Sequence, residues 1–149
     1  NHRIYSFTTK DFQTFSTPEL FFDPGFNSID STIIKTGRRW LMIFKDERRT
    51  PLQKKLRMAY ADSPSGPWSK VSEPFTRDWV EGPSALKTRQ GWLVFFDHYT
   101  DPRHYGAYLT KDWLRFVDVS QTLHFPDHPR HGSFVRIRNA DIAVLKSTN

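Results

Sequence analysis

Apolar residues come in short bursts along this chain. Runs rich in Ile, Val, Phe, Trp and Tyr occupy 32–35, 40–45, 57–61, 85–87, 92–97, 106–110 and 133–137. Turn formers separate them: Thr36-Gly37, Ser63-Pro64-Ser65-Gly66-Pro67, Gln90-Gly91 and Asp101-Pro102. Runs this short, punctuated by Gly and Pro, predict β-strands. Lys35-Thr36-Gly37-Arg38 and Lys87-Thr88-Arg89-Gln90-Gly91 read as tight hairpin connections. Side chains alternate across a strand, so Trp40, Met42 and Phe44 share one face, as do Trp92 and Phe96. These aromatics are expected to pack between sheets. No helical period precedes position 138; only 139–146, with Asn139 as N-cap and Ile142 and Leu145 on one side, suits a helix.

The pattern repeats. Ile29-Asp30-Ser31-Thr32-Ile33, Val80-Glu81-Gly82-Pro83-Ser84-Ala85 and Arg130-His131-Gly132-Ser133-Phe134-Val135 each set an ionisable residue just before an apolar run, at successive spacings of 51 and 50 positions. Trp40-Leu41-Met42-Ile43-Phe44 recurs as Trp92-Leu93-Val94-Phe95-Phe96, 52 positions on. Thr9-Lys10-Asp11-Phe12 recurs as Thr110-Lys111-Asp112-Trp113. A four-strand unit of about 50 residues is the period of a β-propeller blade. The expectation is an all-β partial propeller filling 1–149, with blade repeats over 8–137 and a C-terminal tail from 138 to 149. It holds two full blades, the outer strands of a preceding one and the inner strand of a following one. A closed propeller needs about four blades, and the first residue is Asn1, so the sequence reads as a piece of something longer, its ring completed by N-terminal blades or by a second chain.

Composition narrows the function. The chain has 149 residues, 22 Lys and Arg against 16 Asp and Glu, a formal net charge of +6 and no cysteine. That excludes a disulfide scaffold, a Cys-zinc site and a thiol nucleophile. No apolar run exceeds five residues, so no stretch suits a membrane span. The basic residues are scattered as Arg38-Arg39, Arg48-Arg49 and Lys54-Lys55 rather than gathered in a stripe. No nucleic-acid-binding motif accompanies them, which argues against a nucleic-acid partner. The compartment is left open, with a secreted or periplasmic setting expected.

Asp30, Glu81 and His131 would stand at the starts of three inner strands and converge on one mouth. Paired carboxylates at such a place are what glycoside hydrolysis needs: one protonated to donate to the leaving oxygen, one ionised. An acid beside Gly-Pro is also a common turn residue, and a lone histidine is commonly structural; their shared register favours the site. Trp79 and His104, beside the mouth, are candidates for stacking on sugar C–H faces, with ordinary loop packing the alternative. No P-loop, dinucleotide glycine motif or His-Glu-x-x-His occurs.

At Ile29-Asp30-Ser31-Thr32-Ile33, Trp79-Val80-Glu81-Gly82-Pro83-Ser84, Arg130-His131-Gly132-Ser133 and the spacer Tyr60-Ala61-Asp62-Ser63-Pro64-Ser65-Gly66-Pro67-Trp68, the sequence resembles glycoside hydrolase family 43, the five-bladed-propeller arabinosidases and xylosidases. The resemblance runs from about Thr8 to Ile137. It implies an inverting glycosidase acting on arabinofuranosides or xylosides of plant cell-wall polysaccharide. Glu81 matches the general acid, and Asp30 the carboxylate that raises the acid's pKa and holds it in place. His131 matches a channel histidine near which some members bind a calcium or sodium ion. Arg103 is a looser match to a substrate-contacting arginine. In the acid role Glu81 is expected to titrate above its ordinary value, pushed up by an ionised Asp30 and a partly desolvated pocket. The family's general base, an Asp of the first blade, has no match here, so the 149 residues alone are expected to be inactive. A non-catalytic carbohydrate-binding propeller is the alternative.

Overall fold

The computed structural model describes residues 2–126, 129–138 and 141–142. It is all-β, consistent with part of a β-propeller, and among the described residues nine strands form three antiparallel sheets in chain order. Strands β1 (Ile4–Ser6) and β2 (Glu19–Phe22) make the first, β3 (Ser28–Thr36), β4 (Arg39–Asp46) and β5 (Lys55–Ala61) the second, and β6 (Val80–Lys87), β7 (Trp92–His98), β8 (His104–Thr110) and β9 (Val117–Asp118) the third. Each strand pairs with its neighbour in sequence, as hairpin connections require. The helix expected over 139–146 lies outside the described residues save for Asp141 and Ile142.

Alternation explains the stacking. Met42 and Phe44 of β4 turn to one side with Ala59 and meet Phe22 of the first sheet. Leu41 and Ile43 turn to the other side with Leu56 and Met58 and meet Val80, Val94 and Phe96 of the third, with Trp113 from the turn between β8 and β9. Leu41, Met42, Ile43 and Phe44 are all fully buried because the middle sheet is covered on both faces. Phe44 and Phe96 are buried as the pattern predicts, while Trp40 and Trp92, nearer the outer rim, are half-buried.

The free edge of β5 is closed by a segment that is not a strand. Ser69 N–H donates to the Tyr60 carbonyl at 2.7 Å and Ser72 N–H to the Met58 carbonyl at 2.8 Å. In return the Oγ atoms of Ser69 and Ser72 and Oγ1 of Thr76 accept the N–H groups of Tyr60, Met58 and Leu56, each at 2.9 Å. Hydroxyls stand in for carbonyls, and an edge that would otherwise template pairing is satisfied.

One expected strand is not formed. Residues 133–137 run beside β6, where Phe134 N–H donates to Ser84 Oγ at 3.2 Å and its ring stacks on Phe95 at 3.6 Å, without a ladder. An inner strand needs an antiparallel partner on its outer side, and the described residues supply none.

Candidate functional site

The site is built on a backbone irregularity. In the β3–β4 pair Ile29 faces Lys45 and the next partners are Thr32 and Ile43; in the β6–β7 pair Glu81 faces Asp97 and the next are Ser84 and Phe95. Each inner strand thus carries one extra residue, a β-bulge, at its entrance. Asp30 (φ 52°) and Gly82 (φ 57°) occupy the same left-handed place in the two bulges, and His131 (φ 44°) repeats that conformation at the next entrance. The structural equivalents are therefore Asp30, Gly82 and His131, not Asp30, Glu81 and His131. Glu81 stands one residue earlier, level with Ile29 and Arg130. This corrects the register read from sequence: the repeated feature is a backbone conformation, which Gly adopts freely and Asp or His at a cost. Gly82 is required twice over, since a Cβ there would also sit 3.1 Å from His131 Nδ1.

The bulges nonetheless bring the three side chains together. Ligand atoms of Asp30, Glu81 and His131 all lie within 4.8 Å of one another. His131 Nε2 is 3.1 Å from Glu81 Oε1, and its Nδ1 is 3.9 Å from Asp30 Oδ2, which accepts the Gly82 N–H at 3.2 Å. Asp30, Ser31, Gly82, Pro83 and His131 line a cleft of about 150 Å³. Two carboxylates and an imidazole are donors that suit a cation.

Charged neighbours missed in the sequence decide the electrostatics. Lys45, 2% exposed, places Nζ 2.7 Å from Glu81 Oε2 and 2.8 Å from Glu47 Oε2. Glu47 also pairs with Lys54. Arg130 pairs with Glu81 Oε1 and donates from Nε to the buried Asp97 at 3.1 Å, and Asp97 also accepts the His131 N–H at 3.0 Å. Burial by itself pushes the Glu81 carboxyl up, but the hydrogen bond and charge of Lys45, with those of His131, outweigh it and hold the group below its ordinary value. The expected upward shift of Glu81 is thus corrected: a cation reaches each of its oxygens. Asp30 moves the other way, because burial outweighs the Gly82 hydrogen bond and the His131 charge, with Glu81 adding to the rise. A signal for two of these partners was present. Lys45 and Asp97 hold one place in the repeated hairpin, each directly after five apolar residues.

The remaining candidates divide. Trp79, also left-handed (φ 62°) and 38% exposed, packs edge-on to Tyr99 at 6.0 Å and lines a second cleft that includes Glu81. Arg103 and His104 do not join the cluster. Arg103 reaches Asp101 at 3.7 Å, and His104 stacks on His98 at 4.2 Å while Nδ1 donates to the Pro102 carbonyl at 2.7 Å. Both line a separate hollow with Tyr105, Ser120 and Pro129. His104 begins β8, two strands out from β6, and Arg103 directly precedes it, so a place near the mouth in sequence becomes a place on the outer part of the sheet.

Consecutive antiparallel sheets stacked face to face, with acidic side chains brought together from the entrances of β3 and β6, are consistent with part of a β-propeller. Residues 1–143 match the profile of the glycoside hydrolase family 43-related family, described as a probable glycosyl hydrolase domain, and the chain belongs to that family. No curated protein matches it.

Proposed function

We propose that this domain serves an inverting glycosidase acting on arabinofuranosides or xylosides of plant cell-wall polysaccharide. The observation that supports the reading is the convergence of Asp30, Glu81 and His131 within 4.8 Å at the entrances of adjacent sheets. Glu81 is the proton donor to the leaving oxygen, and Asp30 orients it and adds negative charge beside it. Glu81 is ionised in the arrangement described above, and a general acid must carry a proton. The role therefore requires that the cations on its oxygens, Lys45 at Oε2 first and Arg130 at Oε1, be drawn away when substrate is bound. Water activation falls to a carboxylate outside residues 1–149, on blades that complete a five-bladed ring, from the same chain or a second one. A calcium or sodium ion beside His131 would find an oxygen donor in Asp30, and its charge would hold that carboxylate ionised.

The ion pairs on Glu81 favour a second reading, a propeller that binds sugar at the same mouth without cleaving it. Turnover of the full-length protein and its Glu81→Gln variant separates the two. Loss of about 10²-fold or more on natural glycan, with a smaller loss on a nitrophenyl glycoside whose oxygen leaves unprotonated, is expected for the acid role. Unchanged turnover removes Glu81 from that role, and no turnover in either protein supports the binding reading.

A further inference from the structure

A second cleft opens from Glu81 toward the loop between β4 and β5. Its volume is about 520 Å³, and Lys45, Arg49, Lys54, Trp79, Glu81 and Tyr99 line it. That size suits a small-molecule site. Two of these residues, Lys54 (φ 49°) and Trp79 (φ 62°), are non-glycine residues held in the left-handed region, and Val80 N–H ties the two segments by donating to the Lys54 carbonyl at 3.2 Å. Strain of this kind persists where the surroundings impose it, and it gathers at ligand clamps. It holds the large indole of Trp79 partly in solvent at the cleft wall, supported edge-on by Tyr99.

Charge in the cleft is uneven. Lys45 and Lys54 share the two oxygens of Glu47, and Lys45 also takes Glu81. Arg49, exposed at the rim and fixed by a backbone bridge to Leu52, meets no carboxylate among the described residues. The cleft therefore combines an aromatic platform for the C–H face of a sugar ring with a guanidinium fork shaped for a planar carboxylate.

We propose that this cleft, extending the glycosidase reading above and resting on it, is a subsite for an acidic sugar, a uronic acid residue stacked on Trp79 with its carboxylate on Arg49.

The test uses the full-length protein carrying Glu81→Gln, so that bound oligosaccharide persists, and titration calorimetry with three probes. These are xylotriose bearing one glucuronic acid branch, the same compound with its carboxyl reduced to the alcohol, and plain xylotriose. The acidic compound should bind about tenfold more tightly than its reduced form at low ionic strength, the scale of one charge-assisted bidentate contact, and salt should shrink the difference. Arg49→Gln should abolish the preference and Arg49→Lys retain part of it, while Trp79→Ala should weaken the acidic and reduced compounds alike. Equal affinity for those two compounds, or a preference that survives Arg49→Gln, overturns the proposal, as does failure of all three to bind. The glycosidase reading is judged apart from this, by turnover of neutral substrates with and without Glu81→Gln.

Discussion

His98 and Asp46 occupy one place in the repeated hairpin and solve burial in opposite ways. Asp46, fully buried, stays ionised. Burial pushes it up, but hydrogen bonds from Arg48 and Arg57 at 2.6–3.2 Å more than offset this, and it titrates below its ordinary value. His98, 6% exposed and with Nε2 meeting no partner among the described residues, is pushed down from 6.5 to about 4, mainly by burial and then by the charges of His104 and Arg77. Between these two values the unfolded chain binds the proton that the folded chain refuses. This group's contribution is thus present above pH 6.5 and lost as pH falls to about 4, a span worth up to about 3 kcal/mol. Urea midpoints measured at pH 7 and pH 4.5 should converge in His98→Gln relative to the unmodified protein. An unchanged gap would mean that His98 does not resist protonation. At this scale the sequence displays candidates but not their states. Glu81 is visible as an acid beside Gly-Pro, yet the cations that reach its oxygens arrive from β4 and from residue 130, and nothing local to Glu81 announces them.

Among the elements, the hairpins and turns were the most legible, because their chemistry is local. Thr9-Lys10-Asp11-Phe12 and Thr110-Lys111-Asp112-Trp113 fold alike. Phe12 N–H and Trp113 N–H each donate to the threonine Oγ1 at 2.9 Å, and the aspartate Oδ1 accepts the next two N–H groups at 2.8–2.9 Å. Both aromatic residues are left-handed, with φ of 56° and 62°. The repeat in sequence was thus a repeat of turn chemistry, with the side chain reading its own backbone. The hairpin glycines differ in surroundings. Gly37 has φ 68° with open space around it, whereas Gly91 has φ 148° and a Cβ there would collide with the Thr110 carbonyl. Gly37→Ala should cost about 1 kcal/mol for the left-handed backbone alone. Gly91→Ala, which must also displace β8, should cost at least about 2–3 kcal/mol. Equal losses in chemical denaturation would show that β8 gives way freely. The bulges were not legible. An extra residue leaves the apolar alternation of Thr32 to Ile34 and Ser84 to Leu86 intact, and only the pairing across to β4 and β7 reveals the one-residue slip.

In the whole molecule, equivalent turns meet different surroundings. Trp113, 8% exposed, packs against Trp92 and Phe116 in the core between the second and third sheets; Phe12, at the matching place, is 85% exposed beyond the first sheet. Trp113→Ala should therefore cost about 3–5 kcal/mol, and Phe12→Ala no more than about 0.5 kcal/mol. A loss for Phe12→Ala as large as that for Trp113→Ala would mean that another surface covers the β1–β2 face in solution. The two turns share the threonine and aspartate hydrogen bonds to the backbone, so the difference lies in what covers the aromatic ring.

Sequence by itself determined strands β3 to β8, their order and their hairpins, since period-2 alternation and turn residues act through neighbours a few positions apart; the run at 133–137, read the same way, forms no ladder. Sequence also marked Asp30, Glu81 and His131, because the entrance of each inner strand recurs every 49 to 52 residues. Tertiary structure alone decided which of these are true equivalents, that Lys45, Asp97 and Arg130 surround them, and that Arg103 and His104 stand apart. Those outcomes depend on which sheet faces which, and on how charges separated by 33 to 50 positions settle in one partly buried space. Coulomb energy and desolvation there depend on distance and burial, which the order of residues along the chain does not encode.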